Sequence, residues 1–179
     1  PSGGIFSFPV NSTGFLKAVV TVSKPSRIKL YWDEILENGA ITRGRLGYNS
    51  FVTYELSPGR YELETFEPYT MMHVAMDTES GEAVLESVSI RQYVNSDTGN
   101  AFFESSDAAL NKIFAAAAET HRQNALDVFM DCPSRERAGW LCDSYFSARV
   151  AYDLSGNTLI QTFPSRFMKR VTATRAASI

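Results

Sequence analysis

The stretch "SDAALNKIFAAAAETHRQNAL", residues 106–126, decides the fold because the hydrophobic period of the chain changes there. Its apolar residues recur at spacings of three and four, which is the pattern of an amphipathic α-helix, and Ser106 or Asp107 is suited to cap the N-terminus. The apolar stripe consists of Leu110, Ile113, Phe114, Ala117 and Ala118. The chain is therefore predicted to change from β to α structure at this point.

The residues before this helix read as short strands rich in β-branched and aromatic residues. Turn-forming residues separate them at 11–14, 25–26, 37–39, 57–59 and 80–81. The predicted strands are 4–10, 14–23, 26–35, 49–57, 59–67, 70–78 and 83–94. Short strands at such regular spacing favour an antiparallel β-sandwich over alternating βαβ units. The segment 36–47 is long for a hairpin and is interpreted either as a functional loop or as a crossover between sheets.

These patterns predict an α+β chain of more than one domain. The β-sandwich domain spans 1–95, a linker spans 96–106, and a helical domain spans 107–179. We expect Phe102 and Phe103 to dock the linker against one of the domains. A second helix is predicted from about Asp143 to Leu154, with Gly156 as its stop signal.

Composition excludes several classes of partner. With a net charge of −3, 44% hydrophobic and 21% charged residues, the chain is typical of a globular protein, and it has no basic stripe for nucleic acid. No apolar run approaches the roughly 18 residues that span a membrane, and "PSGGIFSF" shows no targeting signal. Localisation and oligomeric state are not predicted.

The cysteine pattern does not favour a metal site. Cys132 and Cys142 have no second pair and no histidine nearby, so neither a metal nor another cofactor is expected. We predict two free thiols, mostly buried.

The candidate site is the stretch "DVFMDCPSRERAGWLCDSYF", residues 127–146, on the loop between the two helices. Glycoside hydrolysis needs one carboxylic acid and a second carboxylate, and Asp131, Glu136 and Asp143 are candidates. Trp140 offers a flat apolar face of the kind on which sugars pack, and Arg135 carries a fork of donors suited to hydroxyl groups. However, a loop that joins two helices through salt bridges has the same composition, so both interpretations stay open on chemistry alone.

The spacing in "DCPSRERAGWLCD", residues 131–143, closely resembles the signature of bacterial α-L-rhamnosidases of glycoside hydrolase family 78. Residues 56–93 resemble the strands that these enzymes place before the catalytic domain. Residues 102–137 resemble the first helix of that domain leading into its catalytic loop. The resemblance covers nearly the whole chain up to about residue 160.

The resemblance implies roles for five residues. Glu136 corresponds to the general acid, Asp131, Arg135 and Asp143 bind or orient the sugar, and Trp140 packs against it. It implies removal of terminal α-L-rhamnose from a glycoside or polysaccharide with inversion, so a second carboxylate activates water on the opposite face of the ring. A longer form of this motif has Asp-Glu after the arginine and Gly before the last Asp, whereas here Glu136 follows Arg135 directly and Cys142 precedes Asp143.

The family's catalytic domain is an (α/α)6 barrel, and its base is a glutamate well downstream. Twelve helices with their loops need roughly 190 residues, far more than 107–179 provides. We therefore expect only the first helices of an incomplete barrel, without the base, and negligible activity for this chain alone.

Two other functions remain as alternatives. The first is a non-catalytic carbohydrate-binding β-sandwich module, in which Tyr31, Trp32 and Tyr48 could form an exposed aromatic platform, although aromatic residues on strands more often belong to the core. The second is an interaction segment whose helices complete a partner's helical bundle.

Overall fold

The computed structural model describes residues 4–156 and residue 160, and the chain divides into two compact units, Pro1–Tyr93 and Val94–Ile179. The first unit contains the strands β1 (Ile5–Asp33), β2 (Phe51–Leu56), β3 (Gly59–Glu64) and β4 (Tyr69–Gln92), with a 3-10 turn at Arg45–Gly47. The second contains the helices α1 (Ala108–Asn124) and α2 (Leu141–Ser155). The part of the predicted helical domain beyond residue 160 lies outside the described residues.

The first unit is built on one long antiparallel ribbon. Strands β1 and β4 pair from Gly14 opposite Gln92 to Asp33 opposite His73. Strand β3 pairs with residues 17–22 of β1, and β2 pairs with residues 26–31. The pairing is antiparallel throughout, and helices follow it in the second unit, which confirms the predicted α+β class.

The seven predicted strand segments fall into four strands, because three predicted turns are bends within longer strands. At one bend the Ser26 hydroxyl donates to the Lys24 carbonyl at 2.6 Å and accepts from the Glu82 N–H at 2.8 Å. Gly81 opposite has a φ of +81°. Since these bonds satisfy backbone groups through the bend, strand pairing resumes beyond it.

The two halves of the ribbon pack on each other to form the core. One cluster joins both halves: Ala18, Val20, Val22, Ile28, Leu30, Met76 and Leu85. A second cluster comprises Leu16, Trp32, Met71 and Val74. Both clusters take alternate residues of β1, because successive side chains of a strand point to opposite faces.

The exposed aromatic platform considered as an alternative for this unit is not found, and the expectation that aromatic residues on strands belong to the core is confirmed for Tyr31 and Trp32. Trp32 is 3% exposed and lies in the core, with its ring centroid 4.6 Å from that of Tyr69. Tyr31 is 5% exposed and lies under the guanidinium of Arg43, while Tyr48 is only half-buried. Burying the large rings of Tyr31 and Trp32 removes a large apolar surface from water, which favours the core position.

The second unit begins and ends its helices close to the predicted residues. The Asp107 carboxylate caps α1 by accepting from the Ala109 N–H at 2.8 Å. Gly156 ends α2 with a left-handed φ of +71°. Within the linker, Phe103 stacks on Phe114 with centroids 5.1 Å apart, whereas Phe102 is exposed, so only one of the two predicted anchors docks.

Both helices carry exposed apolar side chains. They are Leu110 and Ile113 on α1 and Leu141, Tyr145, Phe146, Val150 and Tyr152 on α2. Within the described residues, neither helix is long and apolar enough to cross a membrane.

Candidate active site

The loop between the helices is anchored by Phe129. Its ring is 1% exposed and packs with Ala125 and Ala151, which ties the loop to α2. The Met130 N–H donates to the Asn124 carbonyl at 3.0 Å, so the chain turns back at the end of α1. The burial of Phe129 and this hydrogen bond therefore fix the position at which the motif begins.

Asp131 holds the two ends of the segment 131–138 together through hydrogen bonds. Its N–H donates to the Ala138 carbonyl at 3.0 Å, and its Oδ1 accepts from the Ala138 N–H at 2.9 Å. Its Oδ2 accepts from the Cys132 thiol at 3.2 Å. Both carboxylate oxygens of this predicted sugar-binding residue thus hold the loop.

The charge of Asp131 is stabilised by the same contacts. Burial by itself would raise the pKa of Asp131, but the hydrogen bonds from the Ala138 N–H, the Cys132 thiol and nearby backbone groups outweigh it, and the pKa lies below its ordinary value. Asp131 is therefore ionised at neutral pH and unsuited to donate a proton.

Glu136 is held by two donors, one on each oxygen. Arg135 Nη2 donates to Oε1 and Trp140 Nε1 donates to Oε2, both at 2.7 Å. The side chain of Glu136 remains 39% exposed and that of Arg135 51% exposed. The carboxyl group is oriented and still reachable from solvent, which a catalytic acid requires.

The local backbone brings these three residues together. Arg137 adopts a left-handed φ of +50°, which turns the chain after Glu136. Trp140 is the N-cap residue of α2, and its carbonyl accepts from the Ser144 N–H at 2.8 Å. The indole therefore projects from the start of a regular helix.

Asp143 stands apart from this cluster. It lies exposed in the first turn of α2, and no hydrogen bond or ion pair of its side chain is found among the described residues. A carboxylate there interacts favourably with the helix dipole. The structure thus brings Arg135, Glu136 and Trp140 into contact and leaves Asp143 unengaged.

Cys132 is the residue that sequence reasoning missed. Its thiol donates to Asp131 and accepts from the Glu136 N–H at 3.2 Å, so it joins the two predicted acidic residues. Neither cysteine is in a disulfide: Cys132 is half-buried, but Cys142 is exposed, contrary to the predicted burial. Position between the two acids in the sequence was the available signal, but the turn that brings the thiol to the Glu136 N–H could not be read from it.

The motif faces an open surface. Trp140 is 55% exposed, and a cleft of about 410 Å³ on the same unit is lined by residues of α2 instead: Tyr145, Ala148, Arg149, Tyr152 and Asp153. Among the described residues, no group of three or more His, Cys, Asp or Glu side chains is arranged to hold a metal ion. The motif thus forms one wall that a ligand could touch from one side.

Comparison with known families identifies the class of protein that this segment of the chain resembles. Residues 98–177 match the family described as the bacterial alpha-L-rhamnosidase six-hairpin glycosidase domain. The match continues to residue 177, so the expectation that the resemblance ends near residue 160 is wrong. No curated protein sequence matches the chain significantly.

Solved structures extend the similarity across both units. A family 78 rhamnosidase of Bacillus sp. GL1 has 26% identity and a TM-score of 0.74, over 87% of this chain and 16% of that one. An α-L-rhamnosidase from Aspergillus terreus has 28% identity and a TM-score of 0.58, over 76% and 16%. A Klebsiella oxytoca rhamnosidase with rhamnose bound, at 18% identity and a TM-score of 0.60 over 78% and 31%, shares the fold.

The resemblance to family 78 rhamnosidases is therefore confirmed. The chain is similar to a segment of these enzymes, and it spans about one sixth of the length of the Bacillus and Aspergillus proteins. The roles of the five motif residues remain predictions.

Proposed function

We propose that this chain supplies the general acid of the active site of an α-L-rhamnosidase, which hydrolyses terminal α-L-rhamnose with inversion. The supporting observation is the carboxyl group of Glu136, fixed by Arg135 and Trp140 on a surface within the segment that matches the six-hairpin glycosidase family. Rhamnose-containing glycosides or polysaccharides are the proposed substrates, since the similar solved structures are rhamnosidases and one holds rhamnose.

Glu136 is the proton donor in this proposal. As the C1–O bond of the glycoside breaks, the carboxylic acid gives its proton to the leaving oxygen, and a water activated by a base attacks C1 from the other face. Asp131 is a poor donor because its pKa is lowered. Arg135, Trp140 and Asp143 are proposed to contact the sugar, and the exposed indole face suits the apolar C–H face of rhamnose.

In this proposal the catalytic base lies outside the motif at residues 131–143. Inverting carboxyl pairs are about 6.5–9.5 Å apart. Asp153 is the acid farthest along α2, more than three turns or about 20 Å of helix rise beyond Trp140. Asp153 is therefore a poor candidate, and we expect this chain alone to have no measurable turnover.

Sugar binding by the labelled 179-residue chain tests the proposal. L-rhamnose is titrated into ¹⁵N-labelled chain, with D-glucose as the matched sugar control. We expect weak, millimolar binding with amide shifts concentrated in residues 131–143 and reduced at least about fivefold in affinity by Arg135→Ala. Phe66→Ala, on the first unit at 94% exposure, provides the variant control and should change nothing.

Three results would overturn the proposal or part of it. Shifts confined to residues 4–92 would support the carbohydrate-binding module instead. Absence of any rhamnose-specific shift would reject a sugar site. Release of 4-nitrophenol from 4-nitrophenyl α-L-rhamnoside, lost in Glu136→Gln, would show that the chain supplies its own base.

A further inference from the structure

The indole of Trp140 has two distinct surfaces. Its N–H points at the Glu136 carboxylate, with Nε1 2.7 Å from Oε2, while much of the side chain remains exposed. The family resemblance implies only that this ring packs against sugar. We infer that Trp140 is also a positioning residue, which holds Glu136 through its indole N–H and leaves Arg135 to hold the other oxygen; this rests on Glu136 being the acid proposed above.

The geometry supports a fixed carboxyl group. The two donors engage different oxygens, so rotation about the terminal bond of the Glu136 side chain would break both hydrogen bonds. The donors also come from opposite sides of Glu136 in the sequence, since Arg135 precedes it and Trp140 is the N-cap residue of α2. A single flexible arginine, half exposed, would leave the carboxyl group free to swing.

The indole contributes what arginine cannot. It is a neutral donor with one N–H and no accepting atom, so it fixes Oε2 without adding a second positive charge beside the acid. A carboxyl oxygen has two lone-pair positions, so Oε2 can accept from the indole while the group carries a proton elsewhere. Both protonation states that a general acid needs are therefore compatible with the contact.

Indole NMR signals of the 179-residue chain test this inference. The chain has only two tryptophans, and Trp32 is buried in the other unit, so Trp140→Phe identifies the Trp140 signal by its loss. We expect the chemical shift of the Trp140 Nε1–H signal to depend on pH through the carboxyl group that it contacts, and Glu136→Gln to abolish that dependence. Asp143→Asn, in the same helix turn but outside the contact, should leave it intact.

A merely structural tryptophan would not show this linkage. A Trp140 signal that does not titrate, or that titrates unchanged in Glu136→Gln, would overturn the inference even if L-rhamnose binds at residues 131–143. A linked titration in a chain that binds no L-rhamnose would instead keep the Trp140–Glu136 contact and reject the sugar site, together with a positioning role in catalysis.

Discussion

Arg45 and Asp33 form a bidentate ion pair at the end of β1. Arg45 Nε donates to Asp33 Oδ2 at 2.7 Å and Nη2 donates to Oδ1 at 2.6 Å. The carboxylate is 4% exposed and the guanidinium side chain 16% exposed. The pair fixes the return of the segment between β1 and β2, and the bonds to Asp33 raise the pKa of Arg45, so that its charge is permanent.

Breaking this pair should destabilise the first unit. Arg45→Met leaves the Asp33 charge buried without its main partner, so we expect the free energy of unfolding to fall by about 3 kcal/mol or more. Urea unfolding followed by Trp32 fluorescence, in a Trp140→Phe background, measures it. Arg60→Met, which breaks an exposed pair with Glu86, should cost less than about 1 kcal/mol; equal losses in both variants would show that the buried pair has no special weight.

Gly81 should tolerate no side chain. A Cβ there would lie 2.2 Å from the Pro25 carbonyl oxygen, and its φ is +81°. Gly39 has a similar φ of +77° but open space around it. We expect Gly39→Ala to cost about 1–2 kcal/mol from backbone strain alone and Gly81→Ala at least about 2 kcal/mol more from overpacking.

The same urea experiment separates the two effects for these glycines. Similar costs for the two alanine variants would mean that the bend at Ser26 relaxes to admit a methyl group. The paired bends of β1 and β4 would then not be closely packed.

His121 should make the stability of the second unit depend on pH. The ring is 8% exposed with its centroid 6.0 Å from that of Phe129, and burial lowers its pKa below 6.5. Because the folded pKa is lowered, the stabilising contribution is fully present above about pH 6.5 and is lost as pH falls through the folded pKa. Urea unfolding followed by helical circular dichroism between pH 7 and 5 should show the decline.

A neutral replacement should flatten that pH dependence. His121→Gln removes the titrating group, so the free energy of unfolding should change little between pH 7 and 5, whatever its absolute value in this variant. The lowered pKa of Asp131 acts in a separate window, because its contribution is lost only as pH falls through a folded pKa below 3.8. An undiminished slope in His121→Gln would assign the decline to other groups.

Replacing Cys132 should destabilise the motif more than replacing Cys142. Cys132→Ala removes the donor to Asp131 and the acceptor of the Glu136 N–H, so we expect a loss of about 1 kcal/mol in stability and a weaker coupling of the Trp140 signal to pH. Cys142 is exposed, so Cys142→Ala should stay within about 0.5 kcal/mol. Mass spectrometry after brief iodoacetamide treatment should find Cys142 alkylated before Cys132; the reverse order would contradict the exposures.

Much of the secondary structure of this chain was predictable from the sequence, because the signals that set helix ends and hydrophobic period act over a few residues. Asp107 can reach the free N–H groups of α1 wherever the helix lies, and Gly156 adopts the left-handed conformation that ends α2 at little cost. The change of hydrophobic period near residue 106 separated strands from helices for the same reason. The spacing of Arg135, Glu136 and Trp140 likewise marked the candidate site.

Only the tertiary structure decided which surfaces these residues present. Trp32 and Trp140 are chemically the same, yet one fills the sandwich core and the other lies exposed against Glu136. Turn-forming residues at Pro25 and Gly81 bend paired strands instead of ending them, because hydrogen bonds from Ser26 compensate across the ribbon. The burial of Trp32 and the pairing across the bend at Ser26 depend on partners distant in sequence, and the free energy of burial and hydrogen bonding is set only when those partners meet.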